Sequence, residues 1–357
     1  MRTLDIDTIK ALDKSRMLEL LLGLDKQCAE AKYIGLNVDL TGFSADGVKN
    51  IVFSGLGGSA IGADLIRSYT ADEIDVPIIV NRDYTVPNFV GRDTVLFTSS
   101  YSGNTEETLS AYKMAREKKV RMIAISSGGK LEESAKKDGV RFIKIPSGIP
   151  PRCALGYSFI PPLLALGKLG FIPNKEREID EAIEVLRSLK KELGPEASDS
   201  KANIAADIAL ALKSRLPFIY GANAHLDVAV TRMRGELAEN SKHLASTHVF
   251  PEMNHNEIVG WDFPAELMKE FVVIFLRDSG DHKRVAMRID ITRDILKKKG
   301  IKTVELHSRG VGLLSRIMSL VFTGDMISFY LAIINGIDPS PVDRITYLKN
   351  ELAKEPL

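Results

Sequence analysis

The 357-residue chain is 45% hydrophobic and 27% charged, which supplies apolar material for a large core and a length suited to two or more domains. Its 48 Lys and Arg against 47 Asp and Glu give a net charge of +1, excluding a long-range field that would recruit nucleic acid or an anionic membrane; an anionic ligand has to be captured locally. The start MRTLDIDTIKALDKS lacks a signal-type apolar segment, no stretch reads as a membrane span of about 18 apolar residues, and Cys28 and Cys153 have no CxxC spacing, so a cytoplasmic enzyme or binding protein is expected.

In chain order, apolar runs of about five residues alternate with helix-period stretches. NIVFSG precedes SAIGADLIRSY; VPIIVN follows; DTVLFTSS precedes NTEETLSAYKMAREK; KVRMIAIS precedes GKLEESAKKDG; VRFIKIP closes the series. Strands alternating with helices predict a parallel sheet covered on both faces. The pattern pauses at about 173–203, where PNKEREIDEAIEVLRSLKKEL reads as a charged amphipathic helix and GPEASDS as a loop. It resumes with LPFIYG before ANAHLDVAVTRMRGELAEN, MKEFVVIFLRD before a helix over 282–298, and IKTVELHS before an apolar helix over 311–335. A strand ending in glycine and leading into a helix thus opens each half, at Gly55 and Gly221, which predicts duplication at the level of fold. The expected class is α/β, flavodoxin-like and doubly wound. Its expected parts are N-terminal helices plus a first subdomain over 1–172, a helical linker over 173–203, a second subdomain over 204–335, and a C-terminal helix over 336–357 closing the active site. In the tail DPSPVDRITYLKNELAK, Ser340 is expected as a helix cap and Pro341 in the first turn.

Two loops carry chemical meaning. In GLGGSAIGAD, Gly55, Gly57 and Gly58 allow close backbone approach, and Ser59 stands where a hydroxyl either caps the helix or bonds a phosphate. In SSYSGNTEET, Ser99, Ser100, Ser102 and Thr105 surround Gly103, more hydroxyls than one cap requires. Gly55-x-Gly57-x-x-Ala60 also satisfies the permissive dinucleotide fingerprint, but the second strand ends on Asn81 with Asp83 two residues on, and that reading leaves the hydroxyl loop unexplained. A sugar phosphate held between two helix starts uses both loops.

At these residues the chain resembles the sugar isomerase (SIS) domain, with the recurrence at 217–221 as its second copy. GLGGSAIGAD, SSYSGNTEET, PPRCALGY, RGELAEN, PEMNHNEIVGW and DPSPVDRITYLK together resemble the bifunctional phosphoglucose/phosphomannose isomerases of archaea and some bacteria. The resemblance implies that Ser59, Ser100, Ser102 and Thr105 bind phosphate, with Gly57 and Gly58 in the same cradle. It further implies that Glu239 moves the proton between C1 and C2, Arg152 stabilises the enediolate, and His255 with Lys349 opens the sugar ring. Ser340 stands in the DP(S/T)P stretch linked to accepting both C2 epimers. The substrates implied are hexose 6-phosphates, handled by a homodimer in which the ring-opening His comes from the neighbouring subunit, without a cofactor, metal, nucleic acid or membrane.

The chemistry matches the residue types. Aldose–ketose conversion needs a carboxylate base over C1 and C2, and Glu236 and Glu239 share a helix face as base and helper, although Arg232 and Glu236 at i,i+4 also fit an exposed ion pair. A guanidinium steadies enediolate charge, and Arg152, after Pro150 and Pro151, is held rigidly at a helix start where the dipole alone would disfavour it. Imidazole suits ring opening. Glu252 and His255 lie three apart, but His243, His248 and His255 have no metal-site spacing, so no metal is expected. The competing classes are an NAD-dependent oxidoreductase and a non-enzymatic SIS-type sensor; for a transcriptional sensor, the roughly 45 residues before the first strand lack a helix-turn-helix region and a basic surface.

Overall fold

The computed structural model describes residues 4–196 and 203–355; part of the GPEASDS loop lies outside the described residues. After α1 (Ile6–Leu12), α2 (Met17–Leu22) and α3 (Leu24–Leu36) come β1 (Asn50–Ser54), α4 (Gly58–Thr70), β2 (Ile78–Asn81), β3 (Thr94–Ser99), α5 (Glu106–Glu117), β4 (Arg121–Ser126), α6 (Gly129–Asp138) and β5 (Arg141–Lys144). All neighbours pair in parallel, in the order β2-β1-β3-β4-β5. Every residue of β3 is buried, which is why its sequence shows no alternation: helices cover both faces.

α7 (Leu155–Lys168), α8 (Glu176–Leu193) and α9 (Ile204–Leu212) lead to β6 (Leu216–Ala222), α10 (Asp227–Ser241), β7 (Ser246–Phe250), β8 (Phe271–Arg277), α11 (Lys283–Lys298), β9 (Lys302–His307), α12 (Leu313–Asn335) and α13 (Asp343–Leu352). The second sheet is also parallel, ordered β7-β6-β8-β9. Counting from its first strand, this repeats the first sheet's order without a fifth strand, so the duplication legible at Gly55 and Gly221 is present in the topology. β7 has no counterpart in the sequence reading: STHVF buries only Phe250 fully and lies at a sheet edge, so it carries no continuous apolar run.

The charged amphipathic helix read within 173–203 is α8, whose Ile179, Ala182, Ile183, Leu186, Leu189 and Leu193 form an apolar stripe at helical spacing, packed on α3 and α12. The apolar helix α7 packs on α3 and α4, while α12 packs on α8, α9 and α10. One expectation needs correction: α12 is long and apolar enough to cross a membrane, with mean hydropathy 1.9 in an 18-residue window, yet that window lies wholly inside the protein. One core joins both halves through these helices, including the stacked Phe53 and Phe97, 4.6 Å apart, and Ile219, Val272 and Ile274.

Candidate active site

The turn after β1 is built for close approach. Gly57 has φ +52° and ψ −125°, a conformation that favours glycine, and α4 begins at Gly58. A Cβ on Gly58 would lie 2.4 Å from the Pro151 carbonyl oxygen, so the missing side chain lets the Pro150–Arg152 turn cross the start of α4. Ser59 is buried, and its hydroxyl accepts the Tyr101 N–H at 3.2 Å, joining the glycine loop to the hydroxyl loop. There Ser100 Oγ lies 2.8 Å from Thr105 Oγ1, and Ser102 Oγ accepts the Asn104 N–H. Thr105 is the N-cap of α5 but makes no side-chain cap bond, leaving first-turn N–H groups of α5 for an anion. Gly103 has no alternative: at φ +71°, its Cβ would meet the Gly128 carbonyl at 1.7 Å.

Tyr101 does more than pack the strand end. Its hydroxyl accepts the Ile149 N–H at 3.2 Å, bracing the segment that delivers Arg152. Arg152 is 5% exposed, in a short 3-10 turn (Pro151–Cys153) with the prolines ahead of it. Its Nε donates to Asn240 Oδ1 at 2.7 Å, and Nη2 donates to the Pro339 and Ser340 carbonyls at 3.1 and 2.8 Å. Nη1 lies 3.5 Å from Glu239 Oε2.

α10 supplies the facing wall. Arg232, Glu236, Glu239 and Asn240 share one helix face, so the i,i+4 pair expected as a surface ion pair is buried instead. Asp325 of α12 takes Arg232 bidentately at 3.0 and 2.8 Å, while Glu236 lies 3.3 Å from Arg232. Burial raises Glu236 to about 8, against the opposing pull of Arg232, and burial likewise raises Asp325. Asp325 holds the better arginine geometry, so the shared proton belongs on Glu236. Lys242, with φ +52° just past α10, donates to the Glu239 and Pro339 carbonyls and ties the tail to this wall; burial first, and the Arg152 charge second, lower its pKa.

Between α4, the Arg152 turn and α10 lies a cavity of about 170 Å³ lined by Gly57, Gly58, Arg152, Glu236 and Glu239, with Arg82, Arg232 and Arg234; Ser59, Ser100, Ser102 and Thr105 do not line it. Of its four arginines, Arg232 is paired with Asp325 and Arg82 with Asp64, so Arg152 and Arg234 are the cations it offers to an anion. Arg82, which also pairs with Asp64, and Arg234 went unread in the sequence; only their positions beside the two loops in space single them out. Larger cavities exist, one between Asp25 and the α8 side chains and one on the other side of Glu239 toward Lys242 and Arg344, but neither is lined by Gly57, Gly58 or Arg152.

Other expected site residues lie elsewhere. His255 is exposed in the 3-10 segment Glu252–His255 beyond β7, and Lys349 is exposed on α13; neither lines the cavity. Ser340 does not cap α13, which begins at Asp343 after Val342; its carbonyl instead serves Arg152, and its buried hydroxyl has no protein partner. Asn81 donates to Ser54 Oγ and to the Asp83 and Thr85 carbonyls, shaping a loop where a dinucleotide site needs a free acid. Among the described residues, no group of three or more His, Cys, Asp or Glu is placed to hold a metal.

In the second half the positions corresponding to the two cradle loops hold the chain's own carboxylates. Asp227, at the start of α10, accepts from Ser68 Oγ and Val228 N and pairs with Arg67. Asp278, after β8, accepts the Gly280 N–H, takes Arg316 Nε at 2.9 Å, and is bonded by Ser308.

Residues 201–352 match the family model described as the bacterial phospho-glucose isomerase C-terminal SIS domain. The chain is 45% identical to the bifunctional phosphoglucose/phosphomannose isomerase of Caldicellulosiruptor bescii, over 95% of this chain and 99% of that one. It is 37% identical to the enzyme of the same name from Aquifex aeolicus, over 86% and 91%. Among solved structures, a Thermus thermophilus protein described as hypothetical shares the fold, with a TM-score of 0.70 at 13% identity, over 94% and 90% of the two chains. The chain belongs to the bifunctional phosphoglucose/phosphomannose isomerase family, in an α/β fold of two parallel SIS-type sheets.

Proposed function

We propose that this protein interconverts glucose 6-phosphate and mannose 6-phosphate with fructose 6-phosphate. The observation that carries the reading is the buried Arg152 guanidinium, fixed by three acceptors and turned on Glu239 at the wall of a glycine-floored cavity. The phosphate sits on Ser59, Ser100, Ser102 and Thr105 and the first-turn N–H groups of α5, with Gly57 and Gly58 allowing the sugar close to the backbone.

In the aldose-to-ketose direction the Glu239 carboxylate removes the C2 proton. The C–H electron pair forms the C1–C2 double bond while the C1 carbonyl oxygen gains the negative charge. Arg152 Nη1, the guanidinium nitrogen facing Glu239, stabilises that charge where it develops. Protonated Glu239 then returns the proton to C1 while the O2 proton passes to the negative O1, which makes the C1 hydroxyl and completes the C2 carbonyl. Asn81, held by its own loop where an NAD site needs a free acid, disfavours the NAD-dependent alternative.

His255 and Lys349 act in ring opening: His255 comes from a second copy, and Lys349 approaches as α13 of the same chain settles over the cleft beside Glu239 and Lys242. The exposed Val259, Phe263 and Leu267, close to His255 in sequence, favour a homodimer contact there. The free hydroxyl of Ser340, whose carbonyl is bonded to Arg152, suits a role in accepting both C2 epimers. The reading places the enzyme in the cytoplasm, with 1–172 and 204–335 as the two functional halves. A coupled assay for fructose 6-phosphate, run separately with glucose 6-phosphate and mannose 6-phosphate in EDTA, tests it: no turnover of either refutes it, and turnover of one removes the bifunctional part.

A further inference from the structure

A guanidinium that stabilises an enediolate has to be aimed as well as charged, and the aiming of Arg152 leads to a residue outside the reacting set. Asn240 is wholly buried, one residue beyond Glu239 on α10. Its Oδ1 accepts from Arg152 Nε at 2.7 Å, while its Nδ2 donates to Glu236 Oε2 and Ser328 Oγ, both at 2.9 Å. The amide orientation is fixed from both ends. Ser328 Oγ gives its one hydrogen to the Asp325 carbonyl at 2.6 Å, so toward Asn240 it only accepts. Arg152 only donates, so it requires Oδ1. Glu236 is itself anchored by Arg232, which also donates to the Arg152 carbonyl at 3.0 Å.

We infer that Asn240 is a positioning residue for the isomerisation: clamped by Glu236 and Ser328, it orients Arg152 so that Nη1 alone is presented to the reacting oxygens. The inference rests on the role proposed for Arg152. With Nε held by Asn240 and Nη2 by two carbonyls, the guanidinium plane has no remaining freedom. Without Asn240, Nε is left buried and unsatisfied, and the plane turns about its Nη2 anchors, withdrawing Nη1 from its place beside Glu239.

The test compares Asn240→Leu with Arg152→Gln and wild type. Two ligands are used: a phosphorylated hydroxamate, which mimics the anionic enediolate, and a hexitol 6-phosphate, which mimics the neutral substrate. Displacement of a catalytic group by about an ångström costs about 100-fold, so Asn240→Leu should lose about that in kcat with KM near wild type. Hydroxamate affinity should fall with kcat, and hexitol phosphate affinity should not. Equal weakening of both ligands or unchanged kcat would overturn the inference. If Asn240→Leu does not fold, Ser328→Ala, which removes one clamp, should show a smaller loss with the same ligand selectivity, and its absence overturns the inference. Wild-type kcat in Arg152→Gln sinks the role of Arg152 itself, a separate result from an impaired Arg152→Gln beside an unimpaired Asn240→Leu.

Discussion

Replacing Gly58 by alanine separates activity from stability. The new Cβ would lie 2.4 Å from the Pro151 carbonyl oxygen, 2.8 Å from the Pro151 carbonyl carbon and 3.3 Å from Arg152 N. Contacts under 3.0 Å are essentially never made by a real Cβ, so the Pro151 turn has to withdraw by about 0.6 Å, and Arg152 moves with it. Overpacking of this kind costs about 1–3 kcal/mol, and the better helix propensity of alanine returns up to about 1 kcal/mol. The net, about 0–2 kcal/mol, lowers Tm by no more than about 3 °C in a chain of this length. Displacing the Arg152 cation by more than half an ångström should instead cost roughly tenfold to a hundredfold in kcat. Steady-state kinetics beside a thermal melt decides it. A Gly58→Ala enzyme with wild-type kcat would refute the claim that the start of α4 and the Arg152 turn are one built unit.

Glu239→Gln should lower kcat by about 10²–10⁴-fold while a phosphorylated inhibitor still binds; retained turnover would remove Glu239 as the base. The double change Ser100→Ala and Ser102→Ala should raise KM by about tenfold or more, since hydrogen bonds to a charged group contribute about 1.5–3 kcal/mol each, and a wild-type KM would displace the phosphate from that loop. Glu236→Gln carries a pH signature. Burial lifts the carboxyl from 4.5 to about 8 in the folded protein, so the stability it contributes is fully present below about pH 4.5 and is lost as pH rises toward 8. The variant does not titrate there, so its Tm relative to wild type should rise between pH 5 and 8; a flat difference means Glu236 is not held neutral.

How far the sequence discloses this site depends on whether a residue acts through the local chain or through space. The two cradle loops were legible because strand, glycine, helix start is a local pattern, and Arg152 was legible because two prolines and an unfavourable dipole mark it. Arg82, Asn240 and Lys242 were not legible: each matters because α10 packs beside α4 and the tail folds back on Arg152, and no spacing encodes that. Ser340 shows the reverse failure. As a cap it satisfied every local rule, but the Arg152 guanidinium claims its carbonyl, and the helix starts three residues later. α12 misleads for a related reason: a helix buried on every side reads as apolar on every side, and only the pairing of Asp325 with Arg232 betrays that its surroundings are protein.

The duplication poses the question of why one half keeps a ligand cradle and the other does not. The same strand-to-helix junctions recur, and each offers N–H groups to an anion. In the first half these positions carry neutral hydroxyls, so the negative charge has to arrive with a ligand. In the second, Asp227 and Asp278 supply the charge covalently and are already matched by Arg67 and Arg316. An internal carboxylate costs no association entropy, so a free phosphate competes poorly for those positions. On the function proposed above, the second half is released from binding, and its first helix, α10, carries Glu239 toward a substrate anchored by the first half.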